Sequence, residues 1–274
     1  MKLTHISNAA CVYKADGFRL LADPWLSVDC FEGQWLHNPP LKAKPKDFVG
    51  VDALYISHLH ADHADPETLK HFRRDIPIVT LSDDLSLCAK HLAKMGFTAI
   101  TALKDQETAT LGPFELTMFG PFCKHPHHEA DAELGNIIDS ALLVRHKAAS
   151  VLNCNDNTMS LTAAADFREK YGAPTLAQLN SNAAGPYPAC FDNLSHEQKL
   201  AERLRILELQ TGHMVEVAKA LGAERVQPFA GQYKLRNEAL NQYLAVWSEA
   251  EIAAYLGARY VNCLVLAEGE SVDL

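Results

Sequence analysis

The sequence predicts an α/β protein in which two β-sheets pack against each other within one domain, residues 1–274. Short apolar, β-prone runs alternate along the chain with longer segments of helical periodicity. A chain of 274 residues can bury one large core, and no Gly/Ser/Pro-rich linker divides it. These observations favour one large domain over two smaller ones.

The chain opens with three predicted strands, Lys2–Ser7, 11–14 and Phe18–Ala22. The Asp16-Gly17 pair between the last two is typical of a hairpin turn. Residues 51–56 then form an apolar run with the length of a buried strand. Asp65-Pro66 supplies an N-cap and a first helical position, so we expect a helix over 66–72.

The same alternation continues to the end of the chain. Further strands are predicted at 76–81, 98–103, 107–111, 114–119, 139–145, 150–154, 175–179, 225–229 and, at a sheet edge, 260–267. Helices are predicted at 82–95, 161–171, 195–209, 214–221 and 237–256. Gly212-His213 is expected to interrupt the helical segment between 195–209 and 214–221. Residues 25–46 lack a clear period, and so long a stretch within a compact domain is usually functional.

A dense cluster of metal-ligand side chains follows the strand at 51–56. His58, His60, Asp62 and His63 lie in one turn between this strand and the helix at 66–72. Imidazole nitrogen with some carboxylate suits zinc, and also iron or manganese. A polar loop that is merely rich in histidine is the alternative, and four donors at this spacing make it the weaker one.

This H-x-H-x-D-H run resembles the signature of the metallo-β-lactamase fold superfamily. The resemblance implies a four-layer αββα sandwich of two mixed β-sheets flanked by helices. It implies that His58, His60, Asp62 and His63 hold one or two metal ions. Zinc is the expected metal, and manganese or iron are the alternatives. It also implies that Asp156, after the strand at 150–154, bridges two metals or caps one, although an ordinary Asx turn would also place an Asp there.

Two further positions take their meaning from the same resemblance. An aspartate in the place of Asp23 lies behind the metal site and orients a ligand, while a plain turn Asp before Pro24 is equally compatible. At the end of the strand at 225–229, Ala230 stands where many superfamily hydrolases have a histidine on the second metal. That second site would then keep only Asp62, His63 and Asp156.

The superfamily also has a third histidine ligand ahead of the strand at 139–145. His125, His127 and His128 are the candidates, and His128 is favoured. Asn136 lies nearer the usual position and competes, with an amide oxygen or water in place of imidazole. An exposed polar loop with adventitious metal affinity is the alternative for the histidine cluster.

A narrower resemblance is to the lactamase-fold domain of the CMP-N-acetylneuraminate hydroxylase group. It depends on the segments 23–26, 33–35 and 185–188, which read Asp-Pro-Trp-Leu, Gly-Gln-Trp and Gly-Pro-Tyr-Pro. Within them, Trp25, Trp35 and Tyr187 are predicted to bind substrate at the wall of a pocket. The tryptophans could instead anchor their loop to the core.

These patterns predict a metal-dependent hydrolase that uses metal-bound hydroxide on a small-molecule ester, lactone, phosphodiester or sugar conjugate. Asp62 is the predicted catalytic residue, as proton acceptor or second-metal ligand. The alternative is an iron-dependent oxygenase-type protein related to sialic-acid hydroxylases. It would need an external reductase, because no C-x-x-H follows Cys123-Lys124-His125 to complete a Rieske site. A nuclease and a catalytically altered ligand-binding member, the latter suggested by Ala230, are weaker alternatives.

Composition restricts the expected partners. The net charge of −9 argues against an extended surface for nucleic acid. No apolar run approaches the roughly 20 residues that cross a bilayer, and the first five residues are too polar for a signal peptide. The seven cysteines include no C-x-x-C pair, so we expect reduced thiols and a cytoplasmic location. A small-molecule substrate is the expected partner, and a homo-oligomer is compatible with the sequence.

Overall fold

The protein is described here from a computed structural model that covers residues 1–83, 85–122, 138–183 and 185–274. Its strands, in chain order, are β1 (Lys2–Ser7), β2 (Ala10–Ala15), β3 (Phe18–Ala22), β4 (Asp29–Cys30), β5 (Trp35–His37), β6 (Ala53–Tyr55), β7 (Ile78–Leu81), β8 (Ile100–Leu103), β9 (Thr108–Leu111), β10 (Phe114–Phe119), β11 (Ala141–His146), β12 (Ala149–Asn153), β13 (Leu176–Asn180), β14 (Arg225–Phe229), β15 (Tyr233–Leu235) and β16 (Ser271–Asp273). Its α-helices are α1 (Pro66–Leu69), α2 (Leu87–Lys94), α3 (Leu161–Tyr171), α4 (His196–Leu221) and α5 (Glu249–Gly257).

Two large mixed sheets organise these strands. The first has the order β16-β1-β2-β3-β6-β7-β8, and β3, β6, β7 and β8 run parallel. The second has the order β14-β13-β12-β11-β10-β9, and β12, β13 and β14 run parallel. A small third sheet, β15-β5-β4, orders part of the aperiodic segment at 25–46.

The packing confirms the predicted four layers. One apolar cluster lies between the sheets and includes the fully buried Tyr13, Tyr55 and Phe114. A second cluster joins the outer face of the second sheet to α3, α4 and α5. A third joins the outer face of the first sheet to the segments that carry α1 and α2. Truncating one of the central aromatic side chains to alanine would cost about 3–5 kcal/mol of stability.

Several predicted elements differ from the structure. The helix predicted at 82–95 begins only at Leu87. The helix α4 runs without interruption through Gly212-His213. Residues 237–256 divide into a 3-10 turn, Glu238–Tyr243, and the shorter helix α5. The predicted edge strand at 260–267 contributes only an isolated bridge between Val226 and Cys263.

The connections bring several chain segments to one edge of the sandwich. The parallel strands β6, β12 and β13 all end there, and β11, which is antiparallel to β12, begins there. Side chains that follow or precede these strand ends can therefore meet between the two sheets. Within the described part of the chain, no helix combines the length and the apolar character needed to cross a bilayer.

Candidate metal centre

The histidine-rich turn leaves the first sheet directly after β6 and is fastened to both sheets. The backbone N–H of Ser57 donates to Oδ1 of Asp23, which follows β3, at 2.7 Å. The backbone carbonyl of Ser57 accepts from Oγ of Ser140, which precedes β11, at 2.7 Å. Within the turn, the N–H groups of His63 and Ala64 both donate to the carbonyl of His60. These hydrogen bonds hold the backbone that carries the three imidazoles.

Two histidine rings, those of His58 and His63, are held by contacts at Nδ1. These contacts turn the Nε2 atom of each ring toward the candidate metal centre. Nδ1 of His63 lies 3.1 Å from Oδ2 of Asp23, and both side chains are buried. Nδ1 of His58 lies 3.0 Å from Oγ of Ser57. These contacts leave both Nε2 atoms facing the space in front of Asp156. Asp23 thus contacts a ligand candidate from behind, as the family resemblance implied.

Two groups of possible ligands share His58. In the first, Nε2 of His58 lies 2.9 Å from Nδ1 of His60 and 3.8 Å from Oδ1 of Asp139. In the second, Oδ2 of Asp156 lies 3.8 Å from Nε2 of His58 and 3.2 Å from Nε2 of His63. The donor atoms within each group lie within 4.8 Å of one another.

Asp62 lies beside the second group. Its Oδ2 is 3.4 Å from Nε2 of His63 and accepts a hydrogen bond from Nδ2 of Asn8 at 3.2 Å. Asn8 is itself held, because its Oδ1 accepts from the backbone N–H of Gln232. The sequence analysis missed Asn8, because a lone asparagine at a strand end gives no signal of a contact 54 residues away.

The electrostatics of the cluster indicate a site built for a cation. Burial lowers the pKa of His58 to about 3, so this ring is neutral and free to ligate. Burial also disfavours a charged His63, but Asp62, Asp156 and Asp23 outweigh it and raise its pKa well above the ordinary value. The pKa of Asp62 is lowered despite burial, chiefly by His63. The three aspartates thus favour a positive charge at His63, and a bound divalent cation could supply it in place of a proton.

The donor chemistry fits a divalent metal ion. Each group contributes two imidazoles and one carboxylate, a set found in catalytic zinc sites and in non-haem iron sites. His58, His60 and Asp139 would hold one ion, while His63 and Asp156, with Asp62 adjacent, would hold a second. The predicted residues His58, His60, Asp62, His63 and Asp156 are thus brought together.

Asp139 is the ligand candidate that the sequence analysis missed. It lies two residues before β11, and the sequence pattern includes it in that strand. A carboxylate at a strand start that faces the histidine turn could have been recognised only with the sheet order known. The predicted candidates His125, His127, His128 and Asn136 lie outside the described residues and stay predictions.

Ala230 stands where the family resemblance implies a histidine ligand to the second metal, and it does not offer a side-chain donor there. Ala230 is buried, has a φ of 51° and packs in the core between the sheets. Its backbone N–H donates to the carbonyl of Asn8. His213, on α4, donates from Nε2 to the carbonyl of Met159 at 2.8 Å, and it belongs to neither group of possible ligands among the described residues.

A cavity of about 740 Å³ opens beside the cluster. His60, Asp139 and Asp156 form part of its lining, and Tyr187 lies on the same lining, while its binding of substrate stays a prediction. This volume is typical of sites for small molecules.

The substrate-binding assignment of Trp25 is corrected by the structure. Trp25 is fully buried and stacks on His37 with ring centroids 3.8 Å apart, so it anchors its loop to the core. Trp35 is half-buried and stacks on Tyr233 at 3.9 Å. Among the described lining residues of the cavity Trp35 does not occur, and its contact with substrate stays a prediction.

Comparison with known proteins places this site in a family. A family profile described as Beta-lactamase superfamily domain matches residues 18–229. The chain is 28% identical over 236 residues to a protein of Mycolicibacterium smegmatis named for a Rieske 2Fe-2S iron-sulfur centre, covering 84% of this chain and 43% of that protein. It is 24% identical over 243 residues to cytidine monophosphate-N-acetylneuraminic acid hydroxylase of Danio rerio, covering 84% and 38%. The chain thus spans less than half the length of these relatives.

Solved structures share the fold. An isothiocyanate hydrolase from Delia radicum gut bacteria aligns with a TM-score of 0.72 at 20% identity, over 100% of this chain and 99% of that one. CmlA, a diiron β-hydroxylase from Streptomyces venezuelae, aligns with a TM-score of 0.66 at 18% identity, over 100% and 54%. Likeness at this identity shows architecture alone. Because the family profile matches most of its length, the chain belongs to the Beta-lactamase superfamily domain family, which is part of the metallo-β-lactamase fold superfamily.

Proposed function

We propose that the protein is a metal-dependent hydrolase of a small molecule. The observation that carries the proposal is the pair of ligand groups around His58, which open onto the cavity at His60, Asp139 and Asp156. His58, His60 and Asp139 would give the first ion two imidazoles and one carboxylate, which leaves coordination positions for water and substrate. A divalent ion held by these residues would lower the pKa of a bound water toward about 7 and polarise a substrate oxygen.

The chain's own residues supply the remaining steps. Asp62, ionised beside His63, would accept a proton from the attacking water, and Asn8 keeps its carboxylate in place. Asp23 would hold His63 in the tautomer that leaves Nε2 unprotonated for ligation. The buried rings and the enclosing sheets limit bulk water on the inner side of the site.

Loss of two ligand candidates tests the proposal. We expect the His58→Ala/His60→Ala variant to lose stoichiometric metal, measured by elemental analysis, and with it hydrolysis of any active member of a panel of esters, lactones and phosphodiesters. The matched control is His71→Ala/His91→Ala, which removes two exposed histidines away from the site. If His58→Ala unfolds the chain, the single variant His60→Ala, at an exposed position, gives the same test. Full metal content in these folded variants would reject the assignment.

A second candidate function is an iron-dependent oxygenation. It is favoured by the two-histidine, one-carboxylate composition of the group His58, His60 and Asp139, which non-haem Fe(II) oxygenases also use. The hydroxylase among the sequence relatives and the diiron hydroxylase among the structures support it further. Elemental analysis of protein purified without added metal discriminates: zinc or manganese is expected for a hydrolase. Iron, with dioxygen consumption that depends on an added reductant, would favour the oxygenase.

A further inference from the structure

Asparagine amides hold the two carboxylates that lie beside His63. Nδ2 of Asn8 donates to Oδ2 of Asp62 at 3.2 Å. In the same way, Nδ2 of Asn180 donates to Oδ1 of Asp156 at 3.1 Å. Oδ2 of each aspartate faces Nε2 of His63, at 3.4 and 3.2 Å. Each asparagine therefore orients one carboxylate of the group that would hold the second metal ion.

A glutamine lies behind each asparagine and determines which way its amide faces. Oδ1 of Asn180 accepts from Nε2 of Gln210 on α4. Oδ1 of Asn8 accepts from the backbone N–H of Gln232 at 3.2 Å, and Oε1 of Gln232 accepts in return from the backbone N–H of Asn8 at 2.9 Å. Because a glutamine engages the amide oxygen of each asparagine, the NH2 group is the part that faces the aspartate. We call these two chains of side chains the Asn180 arm and the Asn8 arm.

The Asn8 arm is built around an unusual backbone conformation. Asn8 is 1% exposed and has a φ of 51°, in the turn between β1 and β2. The loop after β14 holds it there, because the N–H of Ala230 donates to its carbonyl at 3.2 Å. Oε1 of Gln232 also lies 2.9 Å from Nε2 of His5, on β1. A buried residue that its surroundings hold in the left-handed region is typical of functional sites. The loop that lacks a histidine at 230 thus contacts the metal centre through Asn8.

We propose that Gln210 and Gln232 are positioning residues for the second metal ion. Each acts through its asparagine on one carboxylate, and the two arms together compensate for the histidine that position 230 lacks. The inference rests on the metal centre of the proposed function and deepens it, because it assigns the residues that set the affinity for the second ion.

Zinc titration of methionine variants tests the inference. Methionine is close to glutamine in length but has no amide with which to hold an asparagine. For the full chain, competition with a chromophoric chelator measures the dissociation constants of the first and second zinc equivalents. We expect Gln210→Met and Gln232→Met each to raise the second constant about tenfold, and the first by less than about threefold. The control is Gln242→Met at an exposed position, where the amide donates only to the nearby carbonyl of Ala239, and both constants should stay unchanged.

A double-mutant cycle shows whether Gln210 acts through Asn180. In the Asn180→Ala background, Gln210→Met should change the second constant by less than about twofold, because the amide that it positions is gone. The visible absorption of the cobalt(II)-loaded protein gives a second readout, since its intensity depends on the coordination of the ion. We expect this spectrum to change in Gln210→Met and to stay the same in Gln242→Met.

The outcomes separate this inference from the proposed function. An unchanged second constant in folded Gln210→Met, or an equal loss in the Asn180→Ala background, would overturn the inference and leave the metal centre standing. A single zinc equivalent in the unmodified chain would do the same. An unmodified chain that binds no zinc would overturn both. If Gln232→Met does not fold, the Asn180 arm gives the decisive result, because Gln210 is only half-buried on α4.

Discussion

At the scale of single residues, Asp23 governs the geometry of the histidine turn. It is fully buried, yet both of its carboxylate oxygens are engaged, one by the Ser57 N–H and one by Nδ1 of His63. A buried carboxylate is tolerated only with such partners, and here the partners are the backbone and one ring of the metal site. The side chain therefore couples the end of β3 to the tautomer of His63.

Replacing this carboxylate by an amide should weaken metal binding more than it weakens the fold. In Asp23→Asn, an amide N–H can face Nδ1 of His63 and favour the wrong tautomer, so we expect zinc affinity to fall about 10- to 100-fold. Competition with a chromophoric chelator measures the affinity. The control is Asp52→Asn, because Asp52 also accepts a backbone N–H, that of Arg19 at 2.7 Å, but lies away from the site. An unchanged zinc affinity in Asp23→Asn would show that Asp23 has no orienting role.

Among the candidate ligands, the sequence reveals those whose donors are adjacent in the chain. His58, His60, Asp62 and His63 share one turn, so their spacing alone indicates metal chemistry. Asp139 gives no such signal, because its proximity to His58 depends on the order of β11 and β12 in the second sheet. Long-range pairing of this kind is set by packing of the two sheets and not by local pattern.

At the scale of elements, α4 shows packing overriding local propensity. The Gly212-His213 pair predicts a break, yet the helix continues because Thr211, Met214 and Val215 on the same turns are buried against the second sheet. Gly212 remains an internal helical glycine, with the entropic cost that this implies. The helix ends instead at Gly222, which has a φ of 64°.

Two alanine substitutions on this helix should change the free energy of unfolding in opposite directions. A Cβ at position 212 would lie 3.6 Å from the Tyr255 hydroxyl, an ordinary contact, so Gly212→Ala should stabilise the fold by about 0.5–1 kcal/mol. A Cβ at position 222 would lie 2.8 Å from Cζ of Arg168, and the positive φ disfavours alanine, so Gly222→Ala should destabilise. Urea unfolding measures both. Destabilisation by Gly212→Ala would mean that the helix is broken or distorted there.

Elements with a clear local pattern were predicted well, and elements that depend on the tertiary environment were not. The β1–β3 meander follows from short β-prone runs and the Asp16-Gly17 turn, and β6 follows from a continuous apolar run of buried-strand length. Residues 260–267 have strand-like composition, but the backbone of Val226 pairs only with Asn262 and Leu264 on either side of the single bridge. The neighbouring edge is thus covered by an irregular segment, which composition cannot distinguish from a strand.

At the scale of the whole molecule, a carboxyl group away from the metal centre makes the stability of the fold depend on pH. Glu249 lies in the first turn of α5, partly buried, and its Oε1 has no hydrogen-bond partner among the described residues. Burial raises its pKa to about 7. Since the unfolded chain releases this proton near pH 4.5, the folded state binds more protons between these values, and stability falls as pH rises through them.

Replacing Glu249 by glutamine should make the free energy of unfolding less dependent on pH. Between pH 5 and 8, with a chelator present, we expect the unfolding free energy of the unmodified chain to fall by about 1–2 kcal/mol relative to that of Glu249→Gln. Urea titrations at fixed pH measure the difference, and Glu115→Gln, at an exposed strand position, is the control. Parallel profiles for the chain and Glu249→Gln would show that Glu249 titrates normally.

The two sheets acquire a common function at the edge where β3, β6, β12 and β13 end. The first sheet supplies the histidine turn and Asp23, and the second supplies Asp139, Asp156 and Asn180. The two sets of side chains meet because the sheets pack face to face. Asn180 donates to Oδ1 of Asp156 at 3.1 Å, which fixes this carboxylate toward His63. The central claim is therefore that the sandwich closes around a cation.

Anomalous diffraction from crystals of the full chain grown with zinc tests this claim most directly. A peak at the zinc edge is expected within about 2.0–2.2 Å of an imidazole nitrogen of both His58 and His60 and of a carboxylate oxygen of Asp139. A fully loaded crystal with no peak in this space, and with the rings of His58 and His60 turned away from each other, would contradict the account.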